Sequence, residues 1–293
     1  MVKMGLFGLI PEASLSCRRS LHKTDETQGT PMTSAPNGPS ITSLFITGAS
    51  SGLGRAMVLE WARTGLRIGM IARRKNELQK LSTELIEMGA IPFFFAGDVR
   101  DKEFMNGAVR SFISSAGIPD LIIANAGIRG AVGTALELDQ GEIMGVNYFG
   151  VQNTLRPFLP DLIKRKRGQI LVISSLASFL PLPGAGEYCA SKSALNAWCG
   201  SLRFDLIAHG ISLTTVNPGF IRTEMTRNNP YPMPFIMDPR EAARIIRKKS
   251  AKNPPVINFP RLLALSLYTL SLLPTSFREK FFVHLKRTGH PPD

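Results

Sequence analysis

Cysteine and histidine are scarce in this chain. The three cysteines, Cys17, Cys189 and Cys199, form no ligand-like cluster, and an odd number cannot all pair with one another. A reducing compartment fits that count best. The four histidines, His22, His209, His284 and His290, are scattered without ligand spacing, so no metal site is expected. Long apolar runs are missing too. The stretch between Arg261 and Pro274 is 12 residues, short of the roughly 20 that a helix needs to cross a bilayer. Acidic residues are few, 22 against 35 lysines and arginines, giving a net charge of +13. Such a balance favours acidic partners such as phosphates or anionic lipid, although a solvated basic surface accounts for it equally well. No helix-turn-helix pattern accompanies it, and charge alone gives only nonspecific attraction, so nucleic acid is not expected as a partner.

Residues 1–40 are rich in Pro, Ser, Thr and Gly and read as a mobile tail. "GLFGLI" is too short for the apolar core of a signal peptide, and Glu12, Asp25 and Glu26 argue against a transit peptide. Met32 offers an alternative start, which would leave residues 1–31 outside the native protein.

From Ile41 the texture changes. Strand-length apolar runs, "ITSLFIT", "LRIGMIA", "IPFFFAG", "DLIIANA", "QILVISS" and "ISLTTVN", alternate with segments of helical period at 53–64, 74–88, 101–115, 138–160 and 187–208. Continuous rather than alternating hydrophobicity within the runs suits strands covered on both faces. The order predicts an α/β fold with a doubly wound parallel sheet and right-handed crossovers. A basic helix and a last strand, "PPVINF", follow Asp238. The predicted organisation is a tail over 1–40, one catalytic domain over 41–260, and a basic, apolar helical extension over 261–293.

"TGASSGLG", Thr47 to Gly54, lies between the first strand and the first helix. Glycines at 48, 52 and 54 allow a tight turn and close backbone approach, so amides at a helix N-terminus can face a pyrophosphate. At the end of the second strand, an NAD-binding fold places a carboxylate for the ribose diol. Here Ala72 occupies that place and Arg73 and Arg74 follow, offering positive charge to a 2′-phosphate. NADP is therefore expected over NAD; the alternative, that both arginines only solvate the surface, stays open.

Tyr188 and Lys192 are four residues apart, hence on one helical face. An ammonium beside a phenol stabilises the phenolate and makes it useful for proton transfer. The pair alone is common by chance, but Ser175 ends the fifth strand, Asn147 places an amide inside a helix near the sheet, and "ANAG" and "NPGFIRT" end strands four and six at the carboxyl edge, where ligands bind in such sheets. Cys189 and Cys199 read as small packing residues.

Together these motifs resemble the classical short-chain dehydrogenase/reductase family over about Ile41 to Thr223, with TGxxxGxG, Asp98–Val99, NAG at Asn125 to Gly127, Asn147, Ser175, YxxxK, and PG with a following threonine, in order. The resemblance implies a Rossmann fold holding NADP through Gly48, Ser50, Ser51, Gly52, Leu53, Gly54, Arg73, Arg74, Asp98, Val99, Asn125, Ala126, Gly127, Tyr188, Lys192, Pro218, Gly219, Ile221 and Thr223. It also implies hydride transfer between nicotinamide and a carbonyl, with Tyr188 donating the proton and Ser175 bonding the oxygen. Lys192 would hold the nicotinamide ribose and depress the tyrosine pKa, and Asn147 would fix a relay water. Thr223 would contact the carboxamide. The atoms work in either direction, and a reduced NADP pool favours reduction.

The segment 224–238 would cover the substrate, and Met225, Tyr231, Met233, Phe235 and Met237 suit a lipophilic carbonyl compound, unless they only pack that segment onto the body. Arg129 and Glu187 could add polar contacts at the mouth. Residues 238–293 hold 11 Lys or Arg against 4 Asp or Glu. Such an extension could meet an anionic membrane, pack over the pocket or sit at a subunit interface. A homo-oligomer is implied by the resemblance, and the expected location is cytoplasmic, with membrane association at the cytoplasmic face left open. The competing function class is a nonenzymatic NADP-binding regulator on the same fold.

Overall fold

A computed structural model describes residues 41–130, 141–227, 229 and 232–288, the last five by backbone only. The chain divides into two units, Met1–Asn37 and Gly38–Asp293, and all described residues belong to the second. Cys17, His22, Met32 and Tyr231 lie outside them.

Seven strands form one sheet: β1 (Ser43–Thr47), β2 (Arg67–Ala72), β3 (Ile91–Ala96), β4 (Leu121–Ala124), β5 (Gly168–Ile173), β6 (Ile211–Pro218) and β7 (Val256–Phe259). Their order is β3-β2-β1-β4-β5-β6-β7, and every pairing is parallel. This is the predicted doubly wound architecture. The chain winds outward from β1 in one direction, crosses back, and continues from β4 in the other, so the carboxyl ends of β1 and β4 diverge and open a crevice between them.

Strand residues alternate between two buried layers. Leu44 and Ile46 face α1 (Gly52–Trp61), α2 (Lys75–Glu87) and α8 (Pro239–Ser250), while Phe45 faces α3 (Lys102–Ala116), α5 (Gly150–Leu155) and α7 (Gly186–Ile207). Phe45 anchors the second layer, with edge-on contacts to Phe112 at 5.2 Å and Phe158 at 4.9 Å. Gly69 on β2 makes this possible, because a methyl group there would collide with the rings of Phe45 and Phe112.

The segment predicted as one helix over 138–160 departs from that expectation. Its described part comprises α4 (Glu142–Met144), a π-helical turn (Gly145–Phe149), α5, and then α6 (Leu159–Arg165) after a break at 156–158. Pro157, inside the break, has no N–H to donate to the Asn153 carbonyl, and the ring of Pro160 in the first turn of α6 crowds the preceding turn, so the helix cannot run on. The apolar extension also divides at a proline: α9 (Arg261–Leu272) and α10 (Thr275–Thr288) flank Pro274. Leu263 of α9 packs beside Leu176 and Gly219, which ties the extension to the carboxyl edge of the sheet. No helix among the described residues is long and apolar enough to cross a membrane.

Phe45→Ala is expected to lower unfolding free energy by about 3–5 kcal/mol, as for other fully buried aromatic side chains. Urea denaturation measures this directly, and a loss below about 1 kcal/mol would show that the ring cluster does not hold the second helical layer on the sheet.

Candidate active site

The glycine loop lies at the divergence of β1 and β4. Gly48 and Gly52 have φ of 70° and 52°, in the left-handed region that favours glycine. Gly54 is constrained differently, because a methyl group there would fall on the Gly48 carbonyl oxygen and crowd the Asn125 amide. The loop is held against β4 by hydrogen bonds. Thr47 Oγ1 accepts from the amides of Asn125 (3.1 Å) and Ala126 (3.2 Å), and Asn125 Nδ2 donates to the carbonyls of Thr47 (3.0 Å) and Gly48 (3.2 Å). Ser51 stands at the N-cap of α1 in extended backbone, and neither a side-chain cap nor a first-turn carboxylate competes for the helix's leading amides. A cradle with no room for Cβ atoms, ending in uncapped amides, fits a dinucleotide pyrophosphate.

Next to this cradle, Ala72 is buried and Arg73 and Arg74 are exposed. Arg74 Nε donates to Ser50 Oγ at 3.2 Å, and its NH1 pairs with Glu224 at 2.9 Å. The arginine thus spans from the glycine loop to the segment after β6. Asp98, expected at the cofactor, is engaged by a neighbour within the chain. Its carboxylate accepts the Arg100 amide at 2.9 Å and the guanidinium at 3.1 and 2.7 Å. The Arg100 contact holds its pKa below the ordinary carboxylate range, with Arg73 adding a smaller pull. Val99 is buried against Gly150.

Beyond β4, β5 and α7 bring the catalytic candidates together. Ser175 caps the short 3₁₀ turn Leu176–Ser178, accepting the Ala177 amide at 3.1 Å, and its hydroxyl hydrogen-bonds the Tyr188 phenol. Tyr188 is half-buried. Burial raises the phenol's pKa, while the Ser175 hydrogen bond and the more distant Arg129 lower it in part. Lys192 is buried, with Nζ 5.9 Å from the Tyr188 ring centroid and donating to the Ile173 carbonyl at 3.0 Å. Burial pulls its pKa down to about 8. Sequence reasoning expects the lysine to depress the phenol; here desolvation is the largest influence on both groups, and it favours the neutral form of each.

Asn147 is fully buried in the π turn, a helical irregularity often found at functional sites. Its Oδ1 accepts the Ile128 amide at 2.8 Å, and its Nδ2 donates to the Ile128 carbonyl at 2.8 Å and to Ser191 Oγ at 3.0 Å. Ser191 donates in turn to the Tyr188 carbonyl at 2.8 Å. A Cβ on Gly127 would meet Asn147 Oδ1 at 3.2 Å and Lys192 Nζ at 3.6 Å, so all three NAG residues border the site. Sequence reasoning misses Thr47, Ser191 and the Ile173 carbonyl. Ser191 had one usable signal, its position three residues after Tyr188 on the same helix.

The strand-six motif closes the edge. The Gly219 amide donates to the Phe259 carbonyl at 2.8 Å, and buried Ile221 bridges Met237. Thr223 and Thr226 cap a 3₁₀ turn reciprocally, beside Gly52. Met225 and Phe235 are exposed, whereas Met237 packs on the core and is not free substrate surface. Arg129 donates to Asn229 at 2.9 Å. Cys189 and Cys199 are buried free thiols, with burial pushing Cys199 up to about 12. No metal-competent cluster exists among the described residues. A separate cavity of about 540 Å³ lies against α9, lined by Phe179, Arg261, Leu265 and Tyr268 among others. Ser175, Tyr188 and Lys192 do not line it, so the chemistry belongs to the sheet edge.

The family model described as "short chain dehydrogenase" matches residues 42–232. An uncharacterized oxidoreductase of Myxococcus xanthus is 36% identical over 233 residues, covering 78% of this chain and 92% of that protein. Dehydrogenase/reductase SDR family member 7B of Xenopus tropicalis is 34% identical over 194 residues, covering 63% of this chain and 62% of its own length. The chain thus matches about three fifths of that relative. Among solved structures, an alcohol dehydrogenase from Thermococcus sibiricus complexed with 5-hydroxy-NADP is 28% identical with a TM-score of 0.67, covering 75% of this chain and 95% of that one. A 3-ketoacyl-ACP reductase from Sinorhizobium meliloti is also 28% identical, with a TM-score of 0.69, covering 76% and 99%. With the glycine cradle, the Ser175–Tyr188 contact and the buried lysine on one sheet edge, and with these relatives, the chain belongs to the short chain dehydrogenase family and is an oxidoreductase that uses a nicotinamide cofactor.

Proposed function

We propose that the chain is an NADPH-dependent reductase of a lipophilic ketone or aldehyde. The observation that carries the cofactor preference is the end of β2, where a buried alanine replaces the carboxylate and two exposed arginines follow, one of them held on the glycine loop. A guanidinium there rewards a 2′-phosphate and offers nothing specific to a ribose diol. Gly48, Ser50, Ser51, Gly52, Leu53 and Gly54 would cradle the pyrophosphate. Asp98, Val99, Asn125, Ala126 and Gly127 would border the adenosine and ribose, and Pro218, Gly219, Ile221 and Thr223 the nicotinamide end. When bound, the reduced nicotinamide supplies a hydride.

The remaining work falls to side chains of this protein. A phenol whose pKa is raised by burial keeps its proton at neutral pH, which suits Tyr188 to donating from Oη to a carbonyl oxygen and so supports the reductive direction. The Ser175 hydroxyl, already bonded to Tyr188, would hold the same oxygen and stabilise charge developing on it. Lys192, by the family's pattern, would hold the nicotinamide ribose, and Asn147 would anchor a relay water near Lys192. Exposed Met225 and Phe235 support an apolar substrate. Exposed Phe149, Phe204 and Ile207 on the π turn and α7 support a homo-oligomer. Two buried free thiols support a reducing location, consistent with the cytoplasm.

Calorimetry with NADPH and NADH tests the cofactor assignment. NADPH should bind more tightly, and Arg73→Ala/Arg74→Ala should weaken it by roughly 10- to 100-fold, the worth of one or two charge-assisted hydrogen bonds, with little effect on NADH. Equal binding of both cofactors would overturn the preference. In a screen of apolar carbonyl compounds, Tyr188→Phe should reduce kcat by about 10²- to 10⁴-fold while leaving NADPH affinity nearly unchanged.

Lys192 also makes a pH-dependent contribution to stability. Its native pKa of about 8 lies below the unfolded value near 10.4, so between these limits the unfolded chain binds the extra proton and stability rises with pH. Cys189 and Tyr188, raised by burial, act in the opposite sense and cancel when wild type is compared with Lys192→Met, whereas Cys199, which Lys192 pulls down slightly, contributes a small coupled difference. Urea unfolding from pH 8 to pH 10 should show wild type gaining on the order of 2 kcal/mol relative to the variant; a constant difference would mean that the lysine is not desolvated.

A further inference from the structure

We propose that α9 and α10 dock the protein, lying flat, on an anionic lipid bilayer. α9 is predominantly apolar, and its exposed Ser266 and Thr269 hydroxyls are satisfied within the helix by the carbonyls of Leu262 and Leu265. One face is buried: Leu263 and Ala264 pack on Leu176 beside the strand-six motif. The other is not. Leu262 (65% exposed), Leu265, Tyr268 and Leu272 (68% exposed) follow one another at intervals of three or four residues, forming a largely exposed stripe with Tyr268 at its edge against Phe179. Beyond Pro274, exposed Phe277 and Phe281 are four residues apart on one face of α10. Large apolar side chains grouped this densely on a surface mark a site of interaction.

Charge decides the partner. Arg261, at the first turn of α9, stands close enough to Lys249 of α8 for the two like charges to oppose one another, and neither is paired with a carboxylate among the described residues. Lys252 and Lys280 are exposed nearby in sequence and likewise unpaired among the described residues. Over 261–288 the sequence holds five basic residues, Arg261, Arg278, Lys280, Lys286 and Arg287, against one acid, Glu279. A second copy docking through this face would place cations opposite cations. Anionic headgroups neutralise them while the leucines and phenylalanines enter the acyl boundary. At about 18 Å, α9 is too short to span the hydrocarbon core and suited to lying in the interface plane.

Co-sedimentation of the full-length chain with phosphatidylcholine vesicles, with and without phosphatidylserine, tests this docking. Wild type should bind the phosphatidylserine vesicles at least about tenfold more strongly, and added salt should weaken that binding. Leu262→Glu/Leu272→Glu should remove binding to both compositions with an unchanged melting temperature, since both side chains are exposed. Arg261→Gln/Lys280→Gln should remove only the phosphatidylserine preference. Failure of wild type to bind either vesicle overturns the proposal, as does binding that survives the leucine substitutions. A dimer in analytical ultracentrifugation that the leucine variant dissociates, without vesicle binding by wild type, would assign the face to a second copy instead.

Discussion

The site depends on a lack of space. Where β1 and β4 diverge, the glycine loop must turn back against β4 so closely that the Gly48 carbonyl occupies the volume a methyl on Gly54 would need. Only this proximity lets the Thr47 hydroxyl receive two amides from the end of β4 and lets the Asn125 side chain reach two carbonyls of the loop. Closeness also explains why three residues of loop chemistry, glycine, threonine and asparagine, recur at one point. Backbone polar groups exposed by a sharp turn and removed from water must be satisfied locally, and short side chains with donors and acceptors do so without adding bulk. The uncapped start of α1 follows, because the turn aims it into the crevice rather than at a side chain.

A second arrangement, around Asn147, joins the catalytic helix to this crevice. The amide is fully buried and engaged on both sides, with Ile128 after the NAG motif and with Ser191, which bonds back to Tyr188. A buried, satisfied network of this kind fixes positions as well as contributing stability. Lys192 is fixed from the other direction by the Ile173 carbonyl at the end of β5. The two candidate catalytic groups on α7 are therefore located by separate strands, β4 and β5, through hydrogen bonds that do not involve a ligand.

The doubly wound parallel sheet was readable because its strands are continuous apolar runs separated by segments of helical period, signals that survive without tertiary information. The glycine loop, Tyr188, Lys192 and Ser175 were readable for a related reason: their spacing reflects local geometry, a turn in one case and one helical repeat in another. What the sequence hid depends on partners distant along the chain. Arg74 reaching Glu224 across 150 residues has no local signature. The Asp98 carboxylate is occupied by Arg100, although both residues were in plain view, because side-chain direction at a strand end is set by the fold. The π turn at Asn147 and the break before Pro160 divide a segment whose hydrophobic period alone suggests a single rod.

The helix that bears Tyr188 is pinned at both ends, for Arg203 in its last turns donates to the carbonyls of Leu213 and Pro255 and to Thr215 Oγ1. Lys192 bonds Ile173, the Lys192 carbonyl accepts from Ser174, and Ser193 and Asn196 both bond Ser178. Phe204, 79% exposed, stands 16 residues beyond the tyrosine, about 24 Å along the axis. The helix thus resembles a beam supported at both ends, so a load applied at exposed Phe204 is taken up by the neighbouring Arg203 contacts before it reaches the reacting hydroxyl. Surface at the distal end can be altered by assembly with other molecules while the phenol keeps its orientation, so quaternary structure and chemistry can vary independently on a single element.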